Sequence, residues 1–351
     1  MLTKKYSILI GCLMVLLLIA AGCSSSAEDA GSEADSITLK LATWEPANSM
    51  HVKEFLEPFM EEVTSLTDGR VQFKFYPAEQ LGSAADSLSN VAKGVVDISH
   101  FTPNYTPSEM PIGSSMMGIP GLYETTIQGT TAYSKIAQQS PVLETEFLKN
   151  GVRPIAMDIP PFYDIVTTGK EIKVPEDLKG LKIRTSGGVF SEVMNNLGAT
   201  PVSISITESY TALNMGVVDG MHTSYTTMQK FGLLDLPKYA VKGVNIGAPV
   251  QGLIINEKVY QNLPQDIQEV IMQVGETMGK SFTEYQTDLN TKVFEDLAES
   301  GDVTTYELSE SEKEQWQKFY AEFKQHWIKK QDGEYFNKAL EMFEEELEKI
   351  K

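Results

Sequence analysis

The stretch 178–188, with the sequence LKGLKIRTSGG, carries the clearest binding chemistry in the chain. It places Arg184 at the carboxyl end of a buried-looking strand, and Ser186 and Gly187 follow at once in a small-residue turn into a helix. Open α/β sheets bind ligands at such strand ends, and the first N–H groups of the next helix point at an anion. A guanidinium also matches a carboxylate with two parallel hydrogen bonds. The stretch predicts a carboxylate site; a structural salt bridge from Arg184 to a nearby acid is the alternative.

The charge of the whole chain makes this arginine stand out. The 29 Lys and Arg residues face 48 Asp and Glu residues, which gives a net charge of −19. Such a field repels nucleic acid and acidic lipid surfaces, so neither is expected as a partner. The only arginines are Arg70, Arg153 and Arg184. A site for an anion must therefore be built locally, against the field of the molecule.

Aromatic side chains follow several predicted strands and could wall a small-ligand site. Each of them could equally pack in the core. Thr223 and Glu208 lie near the same strand ends, although Ser205 and Glu208 also have the spacing of a helix capping box. Besides Arg184, Ser186 and Gly187, the ligand-binding candidates are Trp44, Phe101, Tyr105, Tyr163, Thr223, Tyr225 and Glu208.

Catalytic motifs are missing from the sequence. It contains no Gly-x-Ser-x-Gly, no His-Glu-x-x-His, no phosphate-binding loop of the Walker type and no Gly-x-Gly-x-x-Gly after a strand. Glu208 and Asp219 could act as acid and base, but the capping box is the better account of Glu208. We therefore expect no enzyme, no cofactor and no metal, and structural or surface roles for the histidines, which lack metal-ligand spacing: His51, His100, His222 and His326.

The N-terminus has the pattern of a secretory signal peptide. Two lysines precede an apolar run over 8–21, and small residues lead to Cys23, as in a bacterial lipobox. We expect cleavage after residue 22, lipid on Cys23 and a flexible tether over 23–36 that is rich in Ser, Ala, Gly and acids. The other cysteine, Cys12, lies inside the apolar run. An uncleaved anchor or an ordinary signal peptide is the alternative.

Strand and helix patterns alternate over the rest of the chain and predict an α/β fold. Strands are expected at 37–43, 71–76 and 95–98 with helices at 51–67 and 83–93, and again at 181–185, 200–202 and 217–219 with helices at 189–197 and 208–215. Gly-Val-Val-Asp occurs in both halves, at 94–97 and 216–219. Two α/β lobes are the better account of this repeat than coincidence. Long amphipathic stretches at 264–300 and 309–351 could brace the lobes.

A series of short motifs runs through the chain after residue 37 and covers most of it. They are DGRV at 68–71, YP at 76–77, LG at 81–82, GVVD at 94–97, VPEDLKGLKIR at 174–184, LGATPV at 197–202, ESYTAL at 208–213 and GVVDG at 216–220. In this order the motifs resemble a known family, the solute receptors of tripartite ATP-independent periplasmic (TRAP) transporters, in the group that binds four-carbon dicarboxylates.

The resemblance implies a two-lobed fold of the periplasmic-binding-protein type (type II-like) that closes over its ligand by hinge bending, with a long helix spanning both lobes. Lobe I is expected at 37–160 and about 245–285, and lobe II at 161–244 and about 286–351. Arg184 would anchor a ligand carboxylate. The protein would be extracytoplasmic, held on the outer face of the membrane or periplasmic, and would serve the membrane subunits of a TRAP transporter.

Departures from the family pattern bear on the ligand. Where many relatives carry an acid and an Asn after the Asp-Gly pair, this chain has Met221, His222 and Thr223, and the stretch 160–169 offers Tyr163 and Asp164 but no second arginine. A monocarboxylate, such as a hydroxy, keto or aromatic acid, is therefore favoured over succinate or malate. An ABC-type or sensory receptor on a similar fold is the runner-up, and a lipid-anchored hydrolase is the remote alternative.

Replacing the lipid-bearing cysteine tests the anchor. Cys23→Ser should release an intact soluble protein or leave an uncut precursor, because no other apolar segment is expected to hold the protein in the membrane. The measurement is fractionation of cells that express each form, with N-terminal sequencing. A Cys23→Ser protein that stays in the membrane fraction after its signal has been removed would contradict lipid anchoring.

Overall fold

The computed structural model describes residues 36–331 and 333–350. The predicted signal peptide, Cys23 and all but the last residue of the predicted tether lie outside the described residues. The strands within them are β1 (Ile37–Ala42), β2 (Val71–Tyr76), β3 (Ile98–Phe101), β4 (Val152–Asp158), β5 (Asp164–Thr167), β6 (Lys182–Thr185), β7 (Thr200–Ser203), β8 (Gly220–Thr223), β9 (Tyr239–Lys242), β10 (Gln251–Asn256) and β11 (Thr304–Glu307).

Two separate sheets collect these strands, in the orders β2-β1-β3-β10-β4 and β11-β9-β5-β8-β6-β7. In the first sheet β1 is parallel to β2 and β3, while β10 runs antiparallel to β3 and β4. In the second sheet β6 is parallel to β7 and β8, while β5 runs antiparallel to β8 and β9. We call the bodies around these sheets lobe I and lobe II. The chain crosses between them after β4, after β9 and after β10, so each lobe is discontinuous.

The helices pack around both sheets. None of them, in the described part of the chain, is long and apolar enough to cross a membrane. They are α1 (Glu57–Leu66), α2 (Ser87–Ala92), α3 (Pro111–Met116), α4 (Thr126–Ile136), α5 (Val189–Asn196), α6 (Ser209–Asn214), α7 (Tyr225–Lys230), α8 (Glu257–Asn262), α9 (Gln265–Ser300), α10 (Glu310–Lys330) and α11 (Glu334–Ile350).

The predicted two-lobed α/β fold with a long helix is confirmed, and the lobe boundaries stay a prediction. Two local predictions were wrong. The stretch 309–351 forms two helices, α10 and α11, because the chain leaves the helix at Gln331 and resumes it at Glu334 after Gly333. The Gly-Val-Val-Asp segments are loops that precede their strands, since β3 begins only at Ile98 and β8 only at Gly220.

Those two loops make the same hydrogen bonds in the two lobes. Asp97 accepts from the N–H of Lys40 in β1 at 2.7 Å, and its own N–H donates to the Lys40 carbonyl at 3.1 Å. Asp219 does the same with Lys182 in β6, at 2.8 Å in both directions. The carboxylate and the N–H of each aspartate thus pair with the backbone of one residue in a neighbouring strand. This pairing holds the Gly-Val-Val-Asp segment as a loop before its own strand begins. The Gly-Val-Val-Asp repeat therefore marks the same pair of hydrogen bonds in each lobe.

A buried carboxylate ties two of the crossing segments together. Asp164 begins β5, and its Oδ1 accepts from the backbone N–H groups of Gly243, Val244 and Asn245 at 3.1, 2.8 and 3.1 Å. The preceding residue, Tyr163, exchanges backbone bonds with Ile246 and Gly247. The segments that link the lobes therefore run side by side and are held as one unit.

Helix α9 reaches both lobes. It has 36 residues, which corresponds to about 54 Å. Ile267, Ile271, Val274 and Phe282 enter the core of lobe I. Val293, Phe294 and Leu297 enter the core of lobe II. The apolar residues of α9 thus pack on lobe I in the first part of the helix and on lobe II near its end. This explains the sequence pattern that predicted a bracing helix.

Two glycines let α9 approach the edge strand β4 closely. A Cβ at Gly275 would lie 1.8 Å from the Ile155 carbonyl oxygen, and a Cβ at Gly279 would lie 2.2 Å from that of Met157. Real carbon–oxygen contacts are never this short. The helix backbone therefore rests directly on the strand backbone.

Adding one methyl group at this contact should reverse the usual effect of alanine in a helix. Gly→Ala in a helix interior normally stabilises by about 1 kcal/mol, but Gly275→Ala should lower the melting temperature because the helix must move off β4. Thr277→Ala, at an exposed position two residues along, is the control and should not lower it. Thermal unfolding by circular dichroism measures both, and a more stable Gly275→Ala protein would contradict the close contact.

Candidate functional site

A cleft between the lobes brings together five of the sequence-predicted residues. It lies where the carboxyl ends of β1, β3 and β6 face the segments that cross between the lobes. Trp44, Tyr105, Tyr163, Arg184 and Ser186 line it.

Arg184 is the central group of this cleft. It belongs to β6 and its side chain is buried, with 1% of its surface exposed. Its Nε donates to the Ile204 carbonyl at 3.1 Å, and Nη2 lies 3.5 Å from the Tyr105 hydroxyl oxygen. Among the residues that the structure describes, no carboxylate lies within 4.0 Å of the guanidinium. The structural salt bridge considered as an alternative is therefore absent there.

The two other arginines are paired. Arg153 makes a two-pronged ion pair with Glu257, with N–O distances of 2.7 and 2.8 Å. Arg70 pairs with Asp266 at the surface. A buried charge without a partner is costly. Arg184 is therefore the arginine whose position calls for an anion from outside the chain.

The turn after β6 adds a second donor. Ser186 is buried, and its hydroxyl has no hydrogen-bond partner among the described residues. Gly187 and Gly188 both have positive φ, at 91° and 58°. A side chain at Gly187 would collide with Asn104 and Ser203. The glycines thus let the turn pass close to Asn104 and Ser114 of lobe I before α5 begins at Val189.

The other sequence-predicted residues lie outside this lining. Phe101 packs edge-on against Phe147 in the core. Tyr225 donates its hydroxyl to the Val241 carbonyl at 2.6 Å. Thr223 is buried in β8. Gly187 shapes the turn, and Glu208 is exposed and closes the capping box with Ser205.

Sequence reasoning missed eight lining residues, most of them polar. Some lie at or just beyond strand ends, such as Thr102 directly after β3 and Glu45 three residues after β1, so strand-end position was a usable signal. Others come from the crossing segments and from α7, whose placement depends on the path of the chain between the lobes. The missed lining residues are Glu45, Thr102, Ile206, Thr227, Lys230, Phe231, Pro249 and Gln251.

A buried ion pair joins the two lobes across the cleft. Glu45 of lobe I and Lys230 of lobe II lie 2.8 Å apart with 1% and 5% of their side chains exposed. Lys230 is the second cation in the cleft, but Glu45 neutralises it. The pair leaves Arg184 as the uncompensated positive charge at this site.

Further contacts hold the lobes together. Asn104 donates to the Gly187 carbonyl at 3.4 Å, and the Tyr105 hydroxyl accepts from the Ile206 N–H at 3.1 Å. The cleft has a volume of about 30 Å³, whereas small-molecule pockets usually have at least about 300 Å³. The lobes are closed on one another, and a ligand can enter only if they separate.

Larger hollows occur elsewhere but suit an anion poorly. One of about 390 Å³ is lined by Tyr123, Phe162 and Tyr320 and contains no basic side chain among its described lining. Another of about 740 Å³ has Lys242 and Lys313 but more carboxylates than amines. The small cleft with Arg184 therefore remains the candidate site despite its size.

The aromatic groups near Arg184 form a continuous cluster. Tyr163 lies 5.0 Å from His222 and 6.2 Å from Phe190, measured between ring centroids. Burial, together with the charge of Arg184, lowers the pKa of His222 to about 3. His222 is therefore neutral at pH 7 and adds no second charge beside the guanidinium.

Comparison with known proteins decides the family. The model of the bacterial extracellular solute-binding proteins, family 7 (DctP), matches residues 41–331. This chain belongs to that family. A curated relative, a solute-binding protein of Roseobacter denitrificans, is 27% identical over 285 residues, which cover 80% of this chain and 83% of the relative. The resemblance to TRAP solute receptors is confirmed.

Solved structures of TRAP solute-binding proteins share the fold. A TRAP solute-binding protein from Rhodoferax ferrireducens in complex with copurified benzoate has a TM-score of 0.81 at 23% identity and covers 90% of this chain and 98% of its own. A marine metagenome TRAP protein specific for aromatic acids, in complex with 3-hydroxybenzoate, has a TM-score of 0.79 at 24% identity, with 90% and 98% covered. These proteins are receptors, and so is this chain by family.

Removing the unpaired charge should stabilise the receptor freed of ligand. Arg184→Met takes away a buried charge and fills the space with apolar atoms, a change that is neutral or stabilising by about 1 to 4 kcal/mol when buried ion pairs are replaced. Arg153→Met, the matched control, breaks an ion pair and should lower stability or leave it unchanged. Chemical denaturation of both proteins, refolded from denaturant to strip ligand, gives the comparison. Lower stability of Arg184→Met than of Arg153→Met would show that the guanidinium is structural.

Proposed function

We propose that this receptor captures a small monocarboxylate outside the cytoplasm and delivers it to the membrane subunits of a TRAP transporter. The single observation that supports this is Arg184, buried in a cleft between two lobes without a carboxylate of the described chain near it. A ligand carboxylate would complete the ion pair, with Ser186 donating a further hydrogen bond. The family membership supplies the transport role.

Charge balance argues for one carboxylate rather than two. A dicarboxylate would need a second free cation, and the other cation of the cleft, Lys230, is already paired with Glu45 at 2.8 Å. Trp44, Tyr105 and Tyr163 offer ring faces and edges instead. An aromatic or otherwise planar acid fits such walls. The benzoate and 3-hydroxybenzoate of the similar structures agree with this choice.

Ligand entry requires hinge motion. We propose the lobes predicted from the sequence, 37–160 with about 245–285 and 161–244 with about 286–351, as the moving bodies. The crossing segments joined by Asp164 would bend as one unit. Closure would bury the ligand carboxylate and remove its water, which strengthens its attraction to Arg184.

We also propose that the receptor is tethered. The lipobox-like end of the N-terminal apolar run supports acylation at Cys23 and a position on the outer face of the membrane. The tether of 23–36 would let the folded part reach the transporter. An ABC-type or sensory receptor would have the same cleft, and the membrane proteins encoded beside the gene would distinguish these systems.

Binding of defined acids tests the proposal. Calorimetric titration of the stripped receptor should show benzoate, or pyruvate if a keto acid is preferred, binding at least about tenfold more tightly than succinate. Arg184→Ala should weaken this binding by about 2 to 5 kcal/mol, which is roughly 30-fold to several thousand-fold in Kd. Arg184→Lys should restore only part, because an ammonium keeps the charge but not the planar fork.

Arg70→Ala and Arg153→Ala are the controls, since both arginines are paired far from the cleft, and they should leave Kd unchanged. Tighter binding of succinate would contradict the monocarboxylate assignment. A folded Arg184→Ala receptor with near wild-type affinity would contradict the carboxylate anchor itself.

A further inference from the structure

Behind the ligand cleft, lobe I holds a buried group of metal-ligating side chains. Glu45, His51 and His100 each place one ligand atom so that all three atoms lie within 4.8 Å of one another. Glu45 follows β1, His51 precedes α1 and His100 lies in β3. At most 1% of each residue's surface is exposed. The three are far apart in sequence, so their spacing gave no motif, and the fold alone brings them together.

Four polar atoms of this group have no hydrogen-bond partner in the described chain: Oε2 of Glu45, both ring nitrogens of His51 and Nε2 of His100. An unsatisfied buried polar atom costs about 1 to 3 kcal/mol. Aromatic rings close the surroundings, with Phe55 and Phe282 edge-on to His51 and Trp44 stacked on His100 at 4.0 Å. A cluster of this kind needs a partner that accepts several lone pairs at once.

We propose that Glu45, His51 and His100 bind a divalent transition-metal ion of borderline softness, such as Zn²⁺. Two imidazole nitrogens and one carboxylate oxygen are a common ligand set for such ions. The three ligand atoms lie within 4.8 Å of one another. Small side-chain shifts would therefore bring each of them to about 2.0 to 2.2 Å from an ion placed between them.

The surroundings of each ligand favour this use. Nδ1 of His100 lies 3.4 Å from the Thr43 hydroxyl. This contact orients the ring and leaves Nε2 as the free nitrogen. Metal-binding histidines usually have such an outer-shell partner on their other ring nitrogen. Burial lowers the pKa of both histidines well below 6.5, with the charge of Lys230 adding to it. Each ring also presents at least one nitrogen without a hydrogen-bond partner among the described residues.

The carboxylate can serve two cations at once. Oε1 of Glu45 holds Lys230 at 2.8 Å, and Oε2 is the oxygen left for the metal. Lys230 opposes a second cation electrostatically, so it should weaken the metal site and its removal should strengthen it.

The metal ligands are not the carboxylate anchor, but Glu45 also lines the ligand cleft and neutralises Lys230, so the two sites are measured separately. Zn²⁺ should bind the chelator-treated receptor with one ion per chain in calorimetric titration, and Co²⁺ in its place should give visible absorption typical of histidine ligation. Glu45→Gln and His51→Phe should each weaken Zn²⁺ binding by more than about 100-fold, since even outer-shell changes cost 10- to 100-fold. Lys230→Met should tighten it by at least about tenfold.

His326→Gln, which removes an exposed histidine of α10, is the matched control and should leave the high-affinity ion in place. Glu45→Gln leaves Lys230 unpaired, so Glu45→Gln with Lys230→Met keeps the test valid if the single variant does not fold. Titration of benzoate in chelator reports separately on the carboxylate site. Zn²⁺ binding that is absent, or that is unchanged by Glu45→Gln and His51→Phe, would overturn the metal site.

Discussion

An unneutralised guanidinium in a closed interior is the constraint on which this molecule depends. A charge that is removed from water must be met by an opposite charge or by hydrogen bonds, and among the described residues Arg184 has only a carbonyl and a phenol oxygen as hydrogen-bond partners. An apolar residue would be easier to accommodate at this position. In the proposed function, an anion completes the pair, and the unfavourable free energy of the unpaired charge in the unliganded fold would contribute to affinity.

The rest of the architecture serves that arrangement. Parallel strands in each lobe direct their carboxyl ends toward the cleft, so the turn after β6 and the loops after β1 and β3 meet there. The Asp97 and Asp219 loops fix equivalent strands of the two lobes by the same pair of hydrogen bonds. The ion pair of Glu45 with Lys230 then balances the other charge in the cleft. Of the two cations that line the cleft, one is neutralised by the protein, and the proposed selectivity for a single carboxylate rests on this charge balance.

Local pattern was enough to predict the fold class, the position of Arg184 at the end of a buried strand and the long helix. The turn at 67–69 and the run after it predicted β2 at its observed bounds, whereas the carboxylate-binding role of Arg184 stays a prediction. The missed features all depend on contacts between distant segments. Asp97 and Asp219 turn two Val-rich segments into loops through a neighbouring strand, and Lys230 reaches Glu45 only because the chain crosses between the lobes. Glu45, His51 and His100 form no recognisable sequence motif for the same reason, because only the fold brings them together.

The packing of α9 has a mechanical consequence. Its first part is fastened to lobe I where Gly275 and Gly279 touch the backbone of β4, and its last turns are fastened to lobe II through Val293, Phe294 and Leu297. Rotation of one lobe against the other must therefore bend a continuous helix or slide its end across a packed surface. A helix bent by the proposed opening would store elastic energy that grows with the angle between the lobes. Its stiffness would then set how strongly the lobes return to the closed form.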